Sequence, residues 1–400
     1  MKFINKTLSV VVLSVLTQAA YAIPFSFDGR SLGMGGVSVA TADLATAAWA
    51  NPAMLTNQRA GDDFSLLIGI GAFVRDNDDL ISDIEDFQDA EDRRKIAEGS
   101  GDAADEIKAL AEMRLLIRGV EGKVIAPEVT GLLALGMAFD SFAMAVSVRS
   151  DAIAGGTVTN LSCNLIDDIG CDPNEILSDQ FNILNLEGVV ATEFGISLAK
   201  DFQLFDRKVS IGIKPKVVDL QAFTFKEAIL TASAGFDNVT DEDNKVDLGT
   251  FTTVDLGLAM DLTDSIRLGL NFRNLISDDF DIGGQTLNFD TEARIGIAYY
   301  NRFVTVAVDY DLIENEPLLA NKEFDGLKTQ FIAAGAEFNA FDFAQLRIGA
   351  AKNLASGISG GAKDTVYTAG IGFWLGFNLD IAATFTDNSI GGFIQTGFRF

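Results

Sequence analysis

Ile266-Arg267-Leu268-Gly269-Leu270-Asn271-Phe272-Arg273 decides how this chain is read. Large apolar side chains fill every even position, and Arg, Gly, Asn and Arg fill the odd ones. Successive side chains of a strand point to opposite faces, so the octapeptide is a strand with one apolar face and one small or charged face. The alternation recurs along the chain. Val209, Ile211, Ile213 and Val217 oppose Ser210, Gly212, Lys214 and Lys216. Ala293, Ile295, Ile297 and Tyr299 oppose Arg294, Gly296 and Ala298, and Leu379, Ile381, Ala383 and Phe385 oppose Asp380, Ala382, Thr384 and Thr386. A soluble sandwich alternates too, with its polar face in solvent. Here that face mixes small residues with charges of both signs, which suits a crowded, wet lumen with the apolar face toward lipid.

Counting outward from this segment places strands near 62–74, 127–139, 142–153, 187–200, 207–219, 248–261, 265–275, 289–300, 303–313, 327–338, 343–352, 365–376, 378–387 and 391–400. That is fourteen, the even number a single-chain bacterial barrel requires. Short turns (140–141, 201–206, 262–264, 301–302, 339–342, 377–378) alternate with longer connections (75–126, 154–186, 220–247, 276–288, 314–326, 353–364), the last at 388–390 being short. Short turns belong to the periplasmic side and long loops to the outside. The expected fold is an all-β, 14-stranded antiparallel transmembrane β-barrel over 62–400.

Composition narrows the function. There are 400 residues, a net charge of −27, no His and 2 Cys. Without His there is no Ser-His-Asp triad and no His-ligated metal site, and no cofactor, metal or catalytic residue is expected. The acidity argues against nucleic acid, whose phosphates would be repelled. Mean hydropathy is nevertheless +0.23. Lys2 and Lys6, the apolar run Leu8–Leu16 and Ala20-Tyr21-Ala22 read as a secretory signal peptide over 1–22. No later run is long enough for a membrane helix. Export plus alternation implies the outer membrane of a Gram-negative bacterium, with outer-membrane lipid and lipopolysaccharide around the barrel.

Residues 23–61 do not alternate. Small residues dominate, Gly33, Gly35 and Gly36 allow backbone turns, and Asn51-Pro52 marks a turn or helix end. Such a segment can pack in a narrow space, and an N-terminal plug, or hatch, in the lumen is expected. The pattern Asp28, Arg30, Ser31, Met34, Gly35, Gly36, followed by an Ala-rich stretch and the box Asn51, Pro52, Ala53, resembles the TraF-like outer-membrane family named for conjugal transfer. That family is similar in turn to the FadL superfamily of long-chain fatty-acid and hydrophobic-compound transporters. The resemblance implies a fourteen-stranded barrel with a hatch, passing small hydrophobic compounds. Met54 departs from the Gly usual in the transporters. The name implies the alternative, a structural or assembly component of a conjugation or secretion apparatus. The thioredoxin-like TraF of conjugative plasmids is a different protein, and no Cys-x-x-Cys occurs here. The terminal strand with Phe398 and Phe400 resembles the signal that barrels present to their assembly machinery.

Between Asp76 and Glu112 the period changes, with Leu80, Ile84, Phe87 and Ile107, Leu110, Met113 at helical spacing. Residues 75–118 are expected as an acidic pair of extracellular amphipathic helices, either a cap or a solvated charged loop. Cys163 and Cys171 are expected to form a disulfide within one loop. The acidic run 237–243 offers oxygen ligands but lacks the Gly of a calcium loop. Alternation points Lys214, Lys216, Arg267, Arg273, Arg294 and Arg347 inward, with Glu193, Asp255, Asp309, Glu337 and Asp380. Ion pairs across strands and to Asp28 and Arg30 are one expectation, solvation by lumenal water the other.

Overall fold

The computed structural model describes residues 28–58, 63–76, 79–120, 122–162, 173–230, 245–282, 285–315, 328–341, 343–356, 365–386 and 389–400. The export segment, Cys163, Cys171 and the run 237–243 lie outside them. Fourteen antiparallel strands close one barrel. They are β1 (Phe64–Arg75), β2 (Val124–Ala138), β3 (Ala143–Thr159), β4 (Ile183–Leu204), β5 (Arg207–Ala228), β6 (Lys245–Thr263) and β7 (Ile266–Arg273), then β10 (Glu292–Tyr300), β11 (Val304–Asp311), β12 (Phe331–Phe341), β13 (Ala344–Asn353), β14 (Thr365–Trp374), β15 (Asn378–Thr386) and β16 (Ser389–Arg399). Pairing of β1 with β16, from Ser65–Arg399 to Arg75–Ser389, makes the closure. Within the β7–β10 connection, β8 (Asp278–Ile282) and β9 (Gln285–Phe289) form a separate hairpin where sequence suggested a plain loop. Among the described residues no helix is long and apolar enough to cross a membrane.

Alternation explains the wall. Arg267, Gly269 and Asn271 of β7 face inward and are buried, while Ile266, Leu268 and Leu270 face out. Around the outside, Ile68, Ile70, Ile196, Ile211, Ile297, Val306, Ile348 and Ile381 form an exposed apolar band, which a closed barrel presents to lipid. At the short-turn end, Phe139 stacks on Phe142 at 4.8 Å and Phe64 on the terminal Phe400 at 4.7 Å. Phe398 shares that outer surface, 6.3 Å from Phe377 between ring centroids.

Wall height is uneven. Strands β4 and β5 run 22 residues each, β7 and β11 only 8. At about 3.3 Å per residue the tall side is roughly 70 Å long and the low side roughly 26 Å. The extra length of β4 and β5, beyond the expected 187–200 and 207–219, supports the helices that follow β1. Before them in the chain lie α1 (Gly29–Gly33), α2 (Ala47–Ala50) and a 3-10 turn, Pro52–Thr56, all in the lumen. The inserted hairpin is α3 (Leu80–Ser100) and α4 (Ala103–Gly119). Asp76 starts α3 by accepting from Leu80 N at 2.6 Å and Ile81 N at 2.8 Å, satisfying first-turn donors. Leu80, Phe87, Ala90, Met113 and Ile117 then pack with Ile125, Val158, Leu184, Leu186 and Phe225 of the tall wall and with Ile176 of α5 (Pro173–Ile176). The insert is a helical hairpin packed on the wall by its apolar side, with Glu85, Asp86, Asp89 and Asp92 exposed on its charged side. Ile107, expected on its apolar face, is exposed; Ala109, Met113 and Ile117 make that face.

Candidate functional site: the lumen and the segment across it

Residues 28–58 lie inside the barrel and touch most of its circumference. The local sequence explains the path. Asp28 caps α1 by accepting from Arg30 N at 2.8 Å and Ser31 N at 2.9 Å, and the Ser31 hydroxyl accepts in return from Asp28 N at 3.2 Å, a capping box. The turn after α1 needs left-handed backbone at Gly35 (φ 76°) and Gly36 (φ 87°), which only glycine adopts without strain. Asn51 caps the 3-10 turn, accepting from Ala53 N at 3.1 Å, with Pro52 at its first position. Asn51 Nδ2 donates to Val39 O at 2.9 Å within the segment and to Leu258 O of β6 at 3.1 Å.

The wall is shaped to receive this backbone. Met34 lies over Gly335 and Gly349, and Asn51 and Pro52 lie over Gly257 and Gly212; a Cβ at any of the four would overlap segment atoms. Polar wall groups reach the segment's backbone. Gln395 Oε1 accepts from Gly29 N at 2.7 Å and Thr368 Oγ1 from Gly35 N at 2.8 Å. Asp309 Oδ2 accepts from Ser38 N at 2.8 Å and Val39 N at 3.0 Å, and Asn271 Nδ2 donates to Ala50 O at 2.7 Å. Lys208 Nζ donates to Thr56 O at 2.8 Å.

Ion pairs link segment and wall in one chain. Arg30 grips Glu337 with both edges, Nε to Oε2 at 2.8 Å and Nη2 to Oε1 at 3.0 Å. Arg347 donates to the same carboxylate at 2.8 Å and to Asp380 at 2.5 Å. Gln395 donates to Asp380 at 3.0 Å and returns the chain to Gly29. Burial works to lower the Arg30 pKa, but the Glu337 carboxylate outweighs it and the pKa is raised. Asp28 behaves oppositely: burial pushes its carboxyl up to about 6 despite the Ser31 N–H bond that lowers it. Of the two residues expected to pair with the wall, Arg30 does so through Glu337, whereas Asp28 holds the segment's own first turn.

On the tall side lies a second network. Glu193 joins Lys214 and Lys216, and Lys216 also meets Asp255 at 2.9 Å. Arg273 lies 3.8 Å from Glu193 and 2.9 Å from Glu292. Arg294 pairs with Asp311 at 2.5 Å and reaches Gly36 O at 3.4 Å. Arg267 pairs with Asp261 at 2.5 Å beside the Tyr300 ring. Sequence reasoning missed Glu292, Asp311, Asp261 and the pair Arg149–Asp151 at 2.7 Å. All of them lie within the expected strands 142–153, 248–261, 289–300 and 303–313, and Asp261, Glu292 and Asp311 share the parity of Asp255, Arg294 and Asp309, so the same alternation finds them.

Beyond this charged layer, toward the long-loop end, the inner wall becomes apolar. Val189, Val218, Leu220 and Phe251 cluster with Ala191, Leu248 and Phe289, the two rings 4.8 Å apart. Toward the short-turn end, a cavity of about 740 Å³ is bounded by Arg30, Thr41 and Asp43 of the segment and by Arg267, Tyr300 and Glu337 of the wall. The lumen thus has three layers: apolar, charged, then the segment with its polar vestibule.

Residues 48–311 match the family described as "F plasmid transfer operon, TraF, protein". The chain belongs to this family. The matched span takes in the Asn51-Pro52-Ala53 box and begins after Asp28–Gly36. No curated protein sequence matches it significantly. Among solved structures, the fold is similar to the toluene transporter TodX of P. putida (TM-score 0.56, 12% identity, 94% of this chain and 99% of that one). It is similar also to the toluene transporter TbuX of Ralstonia pickettii (0.54, 13%, 94% and 98%) and to the monoaromatic hydrocarbon channel CymD (0.52, 15%, 94% and 97%). At these identities the likeness is one of fold.

Proposed function

We propose that this member of the TraF family is a non-enzymatic outer-membrane channel for small hydrophobic compounds, with residues 28–58 acting as the plug that closes it. The layered lumen carries this reading. An apolar patch with two aromatic rings faces inward on the long-loop side, the kind of lining that binds apolar ligands. The wall below it is filled by a segment held through hydrogen bonds and ion pairs rather than covalently, and polar bonds of this kind can be exchanged for water. Structures of similar fold include a toluene transporter and a monoaromatic hydrocarbon channel, which supports an apolar cargo. The leader 1–22 supplies export, and the Phe398–Phe400 strand end supplies the signal to the assembly machinery. The second role, in a conjugation or secretion apparatus, rests on the family's name.

Uptake of radiolabelled toluene into proteoliposomes separates the two. The full chain should admit toluene above the protein-free rate, and a chain lacking 28–58 should admit it faster and conduct ions strongly. A scaffold would show neither, and uptake no faster than protein-free liposomes in both forms refutes the channel.

A further inference from the structure

Three aromatic rings at the short-turn end stand on the lumen side of the wall, where lipid cannot reach them. Tyr300 has the parity of the buried Arg294 and Ala298 on β10. Phe303 has that of Thr305 and Asp309 on β11, and Phe343 that of Gln345 and Arg347 on β13. All three therefore project over the lumen mouth, and all three line the cavity of about 740 Å³. Phe139, a ring at the same end, shares the parity of the exposed Leu133 and faces out. Phe303 is nevertheless 69% exposed and Phe343 51%. Aromatic surface left open to an aqueous vestibule marks a contact site.

The rest of the lining says what fits between the rings. Asn57, Gln58, Asn339 and Gln345 present carboxamides, each with two N–H donors and an acceptor oxygen. Asn57 Nδ2 donates to Ala42 O at 2.7 Å and Asn339 Nδ2 to Arg302 O at 3.4 Å, which orients both amides. An apolar molecule seated here would strip such groups of water without pairing them. An ion finds the inner charges taken, Arg30 by Glu337 and Arg267 by Asp261. An extended peptide finds no strand edge to join, because the barrel is closed. A pyranose ring meets the whole set. The C–H groups of its faces lie against aromatic rings, and the hydroxyls around its edge both donate to and accept from planar amides. We infer that the vestibule is a saccharide site, taking a short neutral oligosaccharide stacked on Tyr300, Phe303 and Phe343 and held at its edges by the four carboxamides. The cavity lies within the roughly 300–1,000 Å³ of small-ligand pockets and admits about two or three sugar rings.

The test is saturation-transfer NMR on the full chain in an amine-oxide detergent, which carries no sugar, with the trimer of N-acetylglucosamine and maltotriose as probes. At least one trimer should bind saturably. Phe303→Ala/Phe343→Ala should weaken that binding about tenfold, the worth of lost ring contacts. Gln345→Ala, which leaves the rings in place, should weaken it too. Phe139→Ala, on the lipid side, should leave it unchanged, as should saturating toluene. Heat-modifiable gel migration checks that each variant folds. Co-sedimentation with isolated cell-wall sacculi then separates the sources: a wall glycan brings the chain down and free trimer releases it, whereas a soluble saccharide does neither. The inference is overturned by any of four results: no saturable binding of either trimer, unchanged affinity in the folded Phe303, Phe343 and Gln345 variants, equal loss in Phe139→Ala, or displacement of the trimer by toluene.

Discussion

Replacing Arg30 by Ala removes a two-edged ion pair between residues 28–58 and the wall, and tests the proposed plug role of that segment. Three hydrogen bonds go: two to Glu337, at 2.8 and 3.0 Å, and one from Nη1 to Thr41 O at 2.6 Å. The pair is largely dry, with side-chain exposures of 17% and 4%. Breaking a buried pair costs about 3–5 kcal/mol when the remaining charge is left alone. Glu337 is not left alone, because Arg347 still donates to it at 2.8 Å, so about 2–3 kcal/mol is the fitting figure. At 1.36 kcal/mol per decade this shifts the docked-to-displaced equilibrium roughly 30- to 150-fold. In planar bilayers, open probability should rise over that of the intact chain by up to that factor. Arg30→Lys, which keeps the charge but not the two-edged grip, should fall between. Heat-modifiable migration checks that the barrel still folds. Unchanged open probability in a folded Arg30→Ala barrel refutes the reasoning, since these charges would then be passive lining.

Three further outcomes are expected. Gly349→Ala would place a Cβ against Gly35 N and the Met34 backbone, so the plug should shift while the barrel stays folded, read as acrylamide quenching of the buried Trp49. Asp28, raised from 3.8 to about 6 by burial, takes up its proton more readily in the docked plug than in the displaced one. Docking is therefore tightest below about pH 4, loses about 3 kcal/mol between pH 4 and 6, and is flat above; open probability should rise through that window, and Asp28→Asn should flatten it. Phe87→Ala, a large-to-small change in the hairpin core costing about 3–5 kcal/mol, should expose 80–119 to protease on intact cells without loss of the barrel.

How much of this could be read beforehand depends on what each residue type reports. Along Ile266–Arg273 polarity and geometry share one period, so the facing of Arg267 and Asn271 follows from parity alone, and so does the inward placement of Lys214, Lys216, Glu193 and Asp255. Past Val218 the inner face of β5 turns apolar with Leu220 and Ala222, while Phe225, of opposite parity, is buried on the other face against the helical hairpin. Both faces then look alike, and the strand appears to stop at 219 when it runs to Ala228. Ile107 misleads for a related reason: α4 has two apolar sides, and periodicity cannot say which one is buried. Asp28 could have been placed, since Asp-x-x-Ser before Gly-rich sequence is a helix-start pattern, but charge drew attention to the wall instead. The partner choice of Arg30 had no local signal. Glu337 stands 307 positions away, and only closure of the barrel brings them together.

The most direct test of the plug uses the Thr56 and Ser210 hydroxyls, 2.7 Å apart between the segment and β5. That spacing suits a disulfide, whose sulfurs lie about 2 Å apart. Toluene uptake by the Thr56→Cys/Ser210→Cys chain in proteoliposomes is measured oxidised and then reduced. If displacement of residues 28–58 opens the channel, uptake falls to the protein-free rate when the staple is closed and recovers on reduction. Equal uptake in the two states, with the disulfide verified by mass spectrometry, contradicts the account.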